Sequence, residues 1–414
     1  MVLRNVGKRA VNQHPKTMLE FFAGIGLVHE ALRQSGWQCI YANDLDPYKR
    51  ALYEANFGSD PSESLDYWHL EDVWNTASVV GRVLANADSD QVAAPLLATA
   101  SFPCTDMSLA GNMKGFSGRE SSAFFGFAEV LEQLGERKPP LVLLENVVGL
   151  LTARGGRDFV AAVDRLAELG YWLDCWRLDA KHFVPQSRPR LFIAGFLHPE
   201  HYLPEGARPA LPAATSALRP ARLLEAVQAC SPSTGWILAP LPDPPAPKTC
   251  LSDWIDRDDR QDWWPAEQVA RHMEMLSDSH RQQVEQRQDS REPWVATAFR
   301  RIREGQQRLE VRFDGIAGCL RTPKGGSARQ IVLAGGSQGQ RMQGQHMQGL
   351  RMRWMSPREY ARLQGASDYN WGEAADSRVL FGFGDAVCVP AIAWIDRHVL
   401  TPYIQRLADS RLSV

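Results

Sequence analysis

The chain predicts an α/β fold: a doubly wound, mostly parallel sheet accompanied by a second, smaller domain. Three observations carry this expectation. Short apolar runs at 95–101 and 141–145 have no polar face, as expected of strands covered by helices on both sides. From Thr17 to Phe196 such runs alternate with helix-period segments, the pattern of successive βα units. After Phe196 the texture changes. Residues 198–247 are rich in Pro and Ala with weak periodicity, and 254–312 carry Trp254, Trp263, Trp264 and Trp294 among many Arg, Gln and Asp residues.

Taken in order, Thr17–Phe22 reads as the first strand, and Ala23-Gly24-Ile25-Gly26 as a tight turn into a helix over 27–35. A second strand, Trp37–Ala42, closes on Asn43-Asp44. Pro47 then opens another helix, where its missing N–H costs nothing. The strand before Ser101 leads into a Gly-, Ser- and Asn-rich loop and a helix over about 121–135. A helix at 157–169 and strands at 171–178 and 190–196 complete the alternation. Residues 335–350 are low-complexity and read as a loop. Ser356-Pro357-Arg358-Glu359 has the form of a capping box, and an apolar-periodic helix over about 386–400 ends the fold.

Composition narrows the functional classes. At 414 residues, with 44% hydrophobic and 23% charged residues, the chain suits a globular protein of two domains. No apolar run approaches the length of a membrane span. The basic N-terminus is followed by no signal-type apolar core. Seven cysteines at 39, 104, 175, 230, 250, 319 and 388 form no C-x-x-C pair. Neither a disulfide framework nor a metal site is expected, and a reducing, cytoplasmic setting is. Net charge is only −2, but no acidic residue falls between Asp314 and Glu359. Arg321, Lys324, Arg329, Arg341, Arg351, Arg353 and Arg358 do. Such a stretch either supplies phosphate contacts or forms a solvated surface face.

Four places could carry chemistry. Phe22-Ala23-Gly24-Ile25-Gly26 is a nucleotide-type βα turn, and His29 stands where a dinucleotide fingerprint requires a third glycine. Asp44 follows at a strand end, where a carboxylate can accept from ribose hydroxyls. Glu145 ends another apolar strand; such an acid either caps the next helix, pairs with an Arg or works on a substrate. Cys104 follows Pro103 where a strand gives way to a loop. An isolated cysteine in that setting is more often buried filling than a nucleophile. Arg188 and Arg190 precede the strand at 190–196 and aim two guanidiniums at the same sheet edge, or form a surface ion-pair cluster.

Read together and in order, these segments resemble the cytosine-5 DNA methyltransferase family. F-F-A-G-I-G (21–26), N-D-L-D with Asp44, L-E-D-V with Asp72-Val73, and F-P-C (102–104) carry the resemblance. So do Ser108 with the loop G-N-M-K-G-F, E-N-V (145–147), Q-S-R-P-R (186–190), L-R-T-P-K-G-G-S-A-R-Q (320–330) and G-D-A-V (384–387). Each is weak alone, and their shared order is specific.

The resemblance implies a Rossmann-like methyltransferase sheet that binds S-adenosyl-L-methionine. It further implies methylation of C5 of a cytosine flipped out of double-stranded DNA. Cys104 would be the nucleophile, with Glu145, Arg190 and Arg188 completing the catalytic set. Phe22, Ala23, Gly24, Gly26, Asp44, Asp72, Val73, Pro103, Asp385, Ala386 and Val387 would bind the cofactor. Ser108, Lys114, Arg119, Arg321, Lys324 and Arg329 would contact DNA. Residues 1–197 and 341–414 would form one catalytic domain, interrupted by a target-recognition domain at 198–340. A restriction endonuclease would be the functional partner in a modification pair, unless the enzyme is solitary or phage-borne. Thr105, Met107, Leu45 and Asp385 depart from the family's usual residues. At Asp385 an anion replaces Asn, and it either repels the cofactor carboxylate or accepts from its ammonium. A structured-RNA methyltransferase and a silent DNA-binding regulator on this scaffold are the alternative readings. The large middle segment disfavours the first, and the presence of Cys104, Glu145 and Arg190 disfavours the second.

Overall fold

The computed structural model describes residues 16–58, 65–87, 94–103, 123–203, 215–258, 261–288, 292–323, 328–336 and 349–412. Two sheets organise them. The large one contains β1 (Lys16–Phe21), β2 (Trp37–Asp44), β3 (Trp68–Leu70), β4 (Leu97–Ala100), β5 (Leu141–Val147), β6 (Trp172–Asp179) and β7 (Pro189–Phe196). Their order is β3-β2-β1-β4-β5-β7-β6. All pairings are parallel except those of β7, which runs antiparallel to both β5 and β6. The chain moves outward from β1 through β2 to β3, then returns to β4 on the other side of β1. Strand order therefore reverses between β1 and β4, and a crevice opens outside the carboxyl ends of those strands.

The apolar runs alternate between two buried faces. Met18, Leu97, Leu141 and Leu143 face one cluster, while Leu19, Phe21, Ala98, Val142 and Leu144 face the other. The first cluster is covered by α1 (Leu27–Arg33) and α2 (Pro47–Phe57). The second is covered by α3 (Thr76–Ala87), α4 (Ala123–Leu134), α5 (Arg157–Glu168) and α6 (Ala221–Gln228). Asp46 caps α2 by accepting from the Tyr48 N–H at 2.8 Å, with Pro47 in the first turn. Residues 215–241 hydrogen-bond along β6, with Leu173 N–H donating to Gly235 O at 2.7 Å. Arg219 reaches the buried Asp174 at 2.7 Å.

Beyond these come α7 (Ala266–Glu274) and α8 (Asp278–Gln288). They pack on a four-stranded antiparallel sheet of β8 (Trp294–Arg303), β9 (Gln306–Arg312), β10 (Ile331–Gly335) and β11 (Arg351–Trp354) in the order β11-β10-β8-β9. The chain then returns through α9 (Pro357–Leu363), α10 (Asp376–Asp385), α11 (Val389–Ile395) and α12 (Thr401–Leu412). The expected capping box is present at Ser356 and Glu359. Glu359 is buried and also accepts from Arg353 Nη1 at 2.8 Å, so β11 and α9 share one ion pair.

The last helices close the first face of the large sheet. Trp37 Nε1 donates to Asp396 at 2.8 Å, and Lys16 Nζ to Thr401 at 2.9 Å. Contrary to the sequence reading, one helical stretch, Asp376–Ser410, is long and apolar enough to cross a membrane. Its most apolar window is 72% buried inside the fold, so that apolarity is used in core packing.

One buried acid in β1 gives the fold a pH dependence. Glu20 accepts from the His29 N–H at 3.2 Å, and among the described residues its Oε2 finds no hydrogen-bond partner. Burial, with Asp44 adding to it, lifts its carboxyl from 4.5 to about 8 against the pull of the His29 N–H and Tyr53. Between those values the folded chain keeps a proton that the unfolded chain has lost, so stability falls as pH rises through this window. Glu20→Gln is expected to raise the melting temperature clearly at pH 8 and little near pH 4.5. Superimposable pH profiles for the two proteins would show that Glu20 is not the group responsible.

Candidate active site

The cofactor-type loop lies at the carboxyl end of β1. Phe22 takes a left-handed φ of 57°, and the Ala23 N–H donates to Asn43 O at 2.8 Å. Gly24 N–H donates to Asp44 Oδ2 at 2.9 Å, while Asp46 N–H donates to Oδ1 at 2.9 Å. Asp44 is thus fixed by one hydrogen bond on each oxygen, and each oxygen retains capacity for another. Gly26 is required for space as well as for its φ of 76°: a Cβ there would lie 2.5 Å from ring atoms of Phe57 and Tyr53.

The walls beside Asp44 are apolar and uncovered. Leu45, Leu70 and Trp74 are 62%, 46% and 48% exposed; Leu45 follows β2, Leu70 ends β3 opposite Asp44, and Trp74 lies beyond it. Exposed apolar groups beside a fixed carboxylate fit an adenosine moiety, with apolar surface for the base and Asp44 for the ribose. Asp72 Oδ1 accepts from the Trp74 N–H at 3.1 Å, whereas Val73 is buried against Gly126.

A second constellation lies at the ends of β5 and β7. Their antiparallel register places Val147 opposite Arg190 and Glu145 opposite Phe192. Arg190 Nε meets Glu145 Oε1 at 2.9 Å. Burial pushes the Glu145 carboxyl above its usual range, even though Arg190 and Arg188 pull it down. Between these two residues in the E-N-V sequence, Asn146 Nδ2 donates to Phe102 O at 3.2 Å. This bond ties the chain just before Pro103 to the end of β5. Cys104, Ser108, Lys114, Arg119 and Lys324 lie outside the described residues, as do Thr105 and Met107.

Arg188 stands behind the pair and is almost completely buried. Its guanidinium donates to Leu320 O at 2.8 Å, Gly384 O at 3.2 Å, Asp385 O at 3.3 Å and Ala386 O at 2.6 Å. These bonds assign it to holding three chain segments together. Gln186 works alongside, donating to Leu363 O at 2.6 Å and accepting from the Leu320 N–H at 3.1 Å. Gln364 donates to Phe383 O at 2.8 Å and Ala386 O at 3.1 Å. Val387 and Cys388 therefore line a small cavity with Glu145, Arg188 and Arg190.

Two features escape a linear reading. Cys319 Sγ accepts from Arg188 Nη1 at 3.5 Å. Burial works to raise its thiol, but Arg188, Arg190 and Arg321 hold it below the usual value. Lys49, in α2, meets Asp385 Oδ2 at 3.2 Å. Of the basic candidates, Arg321 is exposed, and Arg329 donates to Met355 O at 3.3 Å while its guanidinium lies 5.3 Å from the Trp354 ring.

A glycine turn with a strand-end acid at the β1–β4 crevice, and a buried carboxyl–guanidinium pair at the ends of β5 and β7, mark an α/β protein with two candidate functional constellations. Residues 16–400 match the C-5 cytosine-specific DNA methylases, and the chain belongs to that family. It is 32% identical over 185 residues to the type II methyltransferase M.BsuFI of Bacillus subtilis, covering 44% of this chain and 40% of that one. It is 31% identical over 179 residues to M.NgoBI of Neisseria gonorrhoeae, covering 43% and 50%. These alignments thus span about half or less of either protein. In fold it is similar to the Entamoeba histolytica methyltransferase EhMeth, with a TM-score of 0.57 at 13% identity over 95% of this chain and 99% of that one. A Spodoptera frugiperda DNMT2 variant gives a TM-score of 0.57 at 15% identity over 94% and 99%.

The Arg188 clamp can be tested through stability. Each buried acceptor left unsatisfied costs about 1–3 kcal/mol, so Arg188→Met is expected to lose more than about 3 kcal/mol in urea unfolding. A loss below about 1 kcal/mol would mean that the carbonyls it serves find other donors.

Proposed function

We propose that this chain is a sequence-specific DNA cytosine-5 methyltransferase of the type II modification class, using S-adenosyl-L-methionine. The observation that carries the reading is the Glu145–Arg190 contact at 2.9 Å, one residue from the Asn146 bond that anchors the backbone before Cys104. An acid paired with a guanidinium, with the backbone that leads to Cys104 bonded to the same strand end, suits activation of a pyrimidine. The cofactor, when bound, supplies an electrophilic methyl group.

C5 of cytosine is a weak nucleophile until C6 is attacked. Cys104 as thiolate forms the C6–S bond, and the electron pair displaced toward N3 is met by a proton from Glu145. Burial favours the protonated acid needed for that step. Arg190 orients Glu145 and offers N–H donors for the base carbonyl. Once C5 carries the methyl group, water as base takes the C5 proton, the C6–S bond breaks to release the Cys104 thiolate, and N3 returns its proton to Glu145. Phe22 and the exposed apolar walls would hold the adenine, and Asp44 the ribose. The small sheet with its Arg- and Trp-bearing strands would read the target duplex. Its partners would then be DNA and, in a modification pair, a restriction endonuclease acting at the same site in the cytoplasm.

Cys104→Ser is expected to abolish tritium transfer from labelled cofactor to DNA while leaving cofactor binding within about twofold, since the thiol serves a covalent step. The wild type should form a denaturation-resistant complex with 5-fluorocytosine DNA, and persistent transfer by the serine variant would sink the mechanism. Bisulfite sequencing of plasmid from expressing cells identifies the target.

A parallel prediction concerns Glu145. Its raised carboxyl keeps the proton at low pH and loses it as pH rises. The turnover rate should therefore fall on the alkaline side of that ionisation. Glu145→Gln should lose at least about 100-fold in kcat together with that limb. A variant that kept both would remove Glu145 from the mechanism.

A further inference from the structure

Lys49 lies in α2, just beyond the Asp44–Asp46 turn that holds the glycine loop, and its side chain is 18% exposed. It reaches across to Asp385, whose side chain is 45% exposed, at 3.2 Å. Asp385 sits at the end of α10, and its carbonyl is one of those held by Arg188. A second contact joins the same two helices: the Arg378 guanidinium lies 3.3 Å from the centre of the Tyr48 ring. Burial acts to lower the Lys49 ammonium, yet Asp44, Asp385 and Asp46 together hold it above its usual range. Lys49 thus pairs with Asp385 while also feeling the charges of Asp44 and Asp46, beside the proposed cofactor site.

We propose that Lys49 and Asp385 act as one charge-balanced unit that sets how this site discriminates between the sulfonium cofactor and its uncharged thioether product. The inference rests on the reading of the site as one for S-adenosyl-L-methionine. Asp385 alone would add an anion beside Asp44 and favour the cationic form. Lys49 cancels that charge, so the pair presents a dipole where a neutral side chain would otherwise serve. The two differ by one positive charge at sulfur, so the ratio of their affinities reports local potential and is insensitive to a general loosening of the pocket.

The test is calorimetric titration of the full chain with S-adenosyl-L-methionine and S-adenosyl-L-homocysteine. Lys49→Met is expected to shift the affinity ratio about threefold to tenfold toward the sulfonium, and Asp385→Asn to shift it the other way. The double variant should return to the wild-type ratio, and Lys49→Arg should never leave it. If the ratio ignores charge in this series, or the double variant fails to restore it, the unit does not exist. Should Lys49→Met fail to fold, the half-exposed Asp385→Asn and the charge-preserving Lys49→Arg still give distinct expectations, a shift away from the sulfonium and no shift. A wild type that binds neither molecule overturns the functional reading, and this inference with it. A wild type that binds both with an unresponsive ratio overturns only the inference.

Discussion

Both halves of the site depend on one buried guanidinium. Arg188 is almost completely withdrawn from water and donates hydrogen bonds to the carbonyls of Leu320, Gly384, Asp385 and Ala386. A buried cation is costly unless its donors are used, and here carbonyl dipoles, rather than a single counter-ion, stabilise it. The arrangement fixes the position of β7's first residues, and therefore of Arg190, relative to the turn that carries Asp385. The pocket at the end of β5 and the segment carrying Asp385 are consequently held in register by a residue on the pocket's own wall. Gln186 and Gln364 extend the same bonding, so the C-terminal helices are bonded directly to the β6–β7 turn.

Much of this fold is legible in the sequence because its signals are local. The apolar runs at 97–100 and 141–147 are strands that alternate between two buried faces, and the capping box at Ser356 forms as written. What was not legible depends on distant partners. Asn146 looks like a strand-end polar residue until its bond to Phe102 is seen. Arg188 reads as a catalytic cation in Q-S-R-P-R, but its donors are directed to backbone more than 130 residues away. Residues 215–241, Pro-rich and aperiodic, carry no strand pattern of their own, since their bonds are to the edge of β6. The apolar length of 376–410 likewise looks different once its burial against the sheet is known.

Electrostatics explains why two groups around the same guanidiniums behave oppositely toward protons. Around Arg188 and Arg190, a thiol is held low at Cys319 while a carboxyl is held high at Glu145. The same positive charges act on both. The difference is that burial dominates at the acid, whereas at the thiol the combined guanidiniums overcome it. A pocket floored by two guanidiniums can therefore shift the Glu145 carboxyl up and the Cys319 thiol down at the same time.

That combination would suit the covalent ring activation proposed for this site. The step needs a proton donor and an anionic nucleophile in one enclosure, two states that normally exclude each other at a common pH. Burial at the end of β5 raises the Glu145 carboxyl, while guanidinium charge favours an anion through long-range attraction. Because the two effects fall off differently with distance, they can be combined at one sheet edge without cancelling. The Asn146 bond to Phe102 contributes geometry to this scheme, since it sets where the chain leaves β4 relative to the acid. Asn146 thus gives the strand ends their chemical value as a group, even though it touches neither a proton nor a charge.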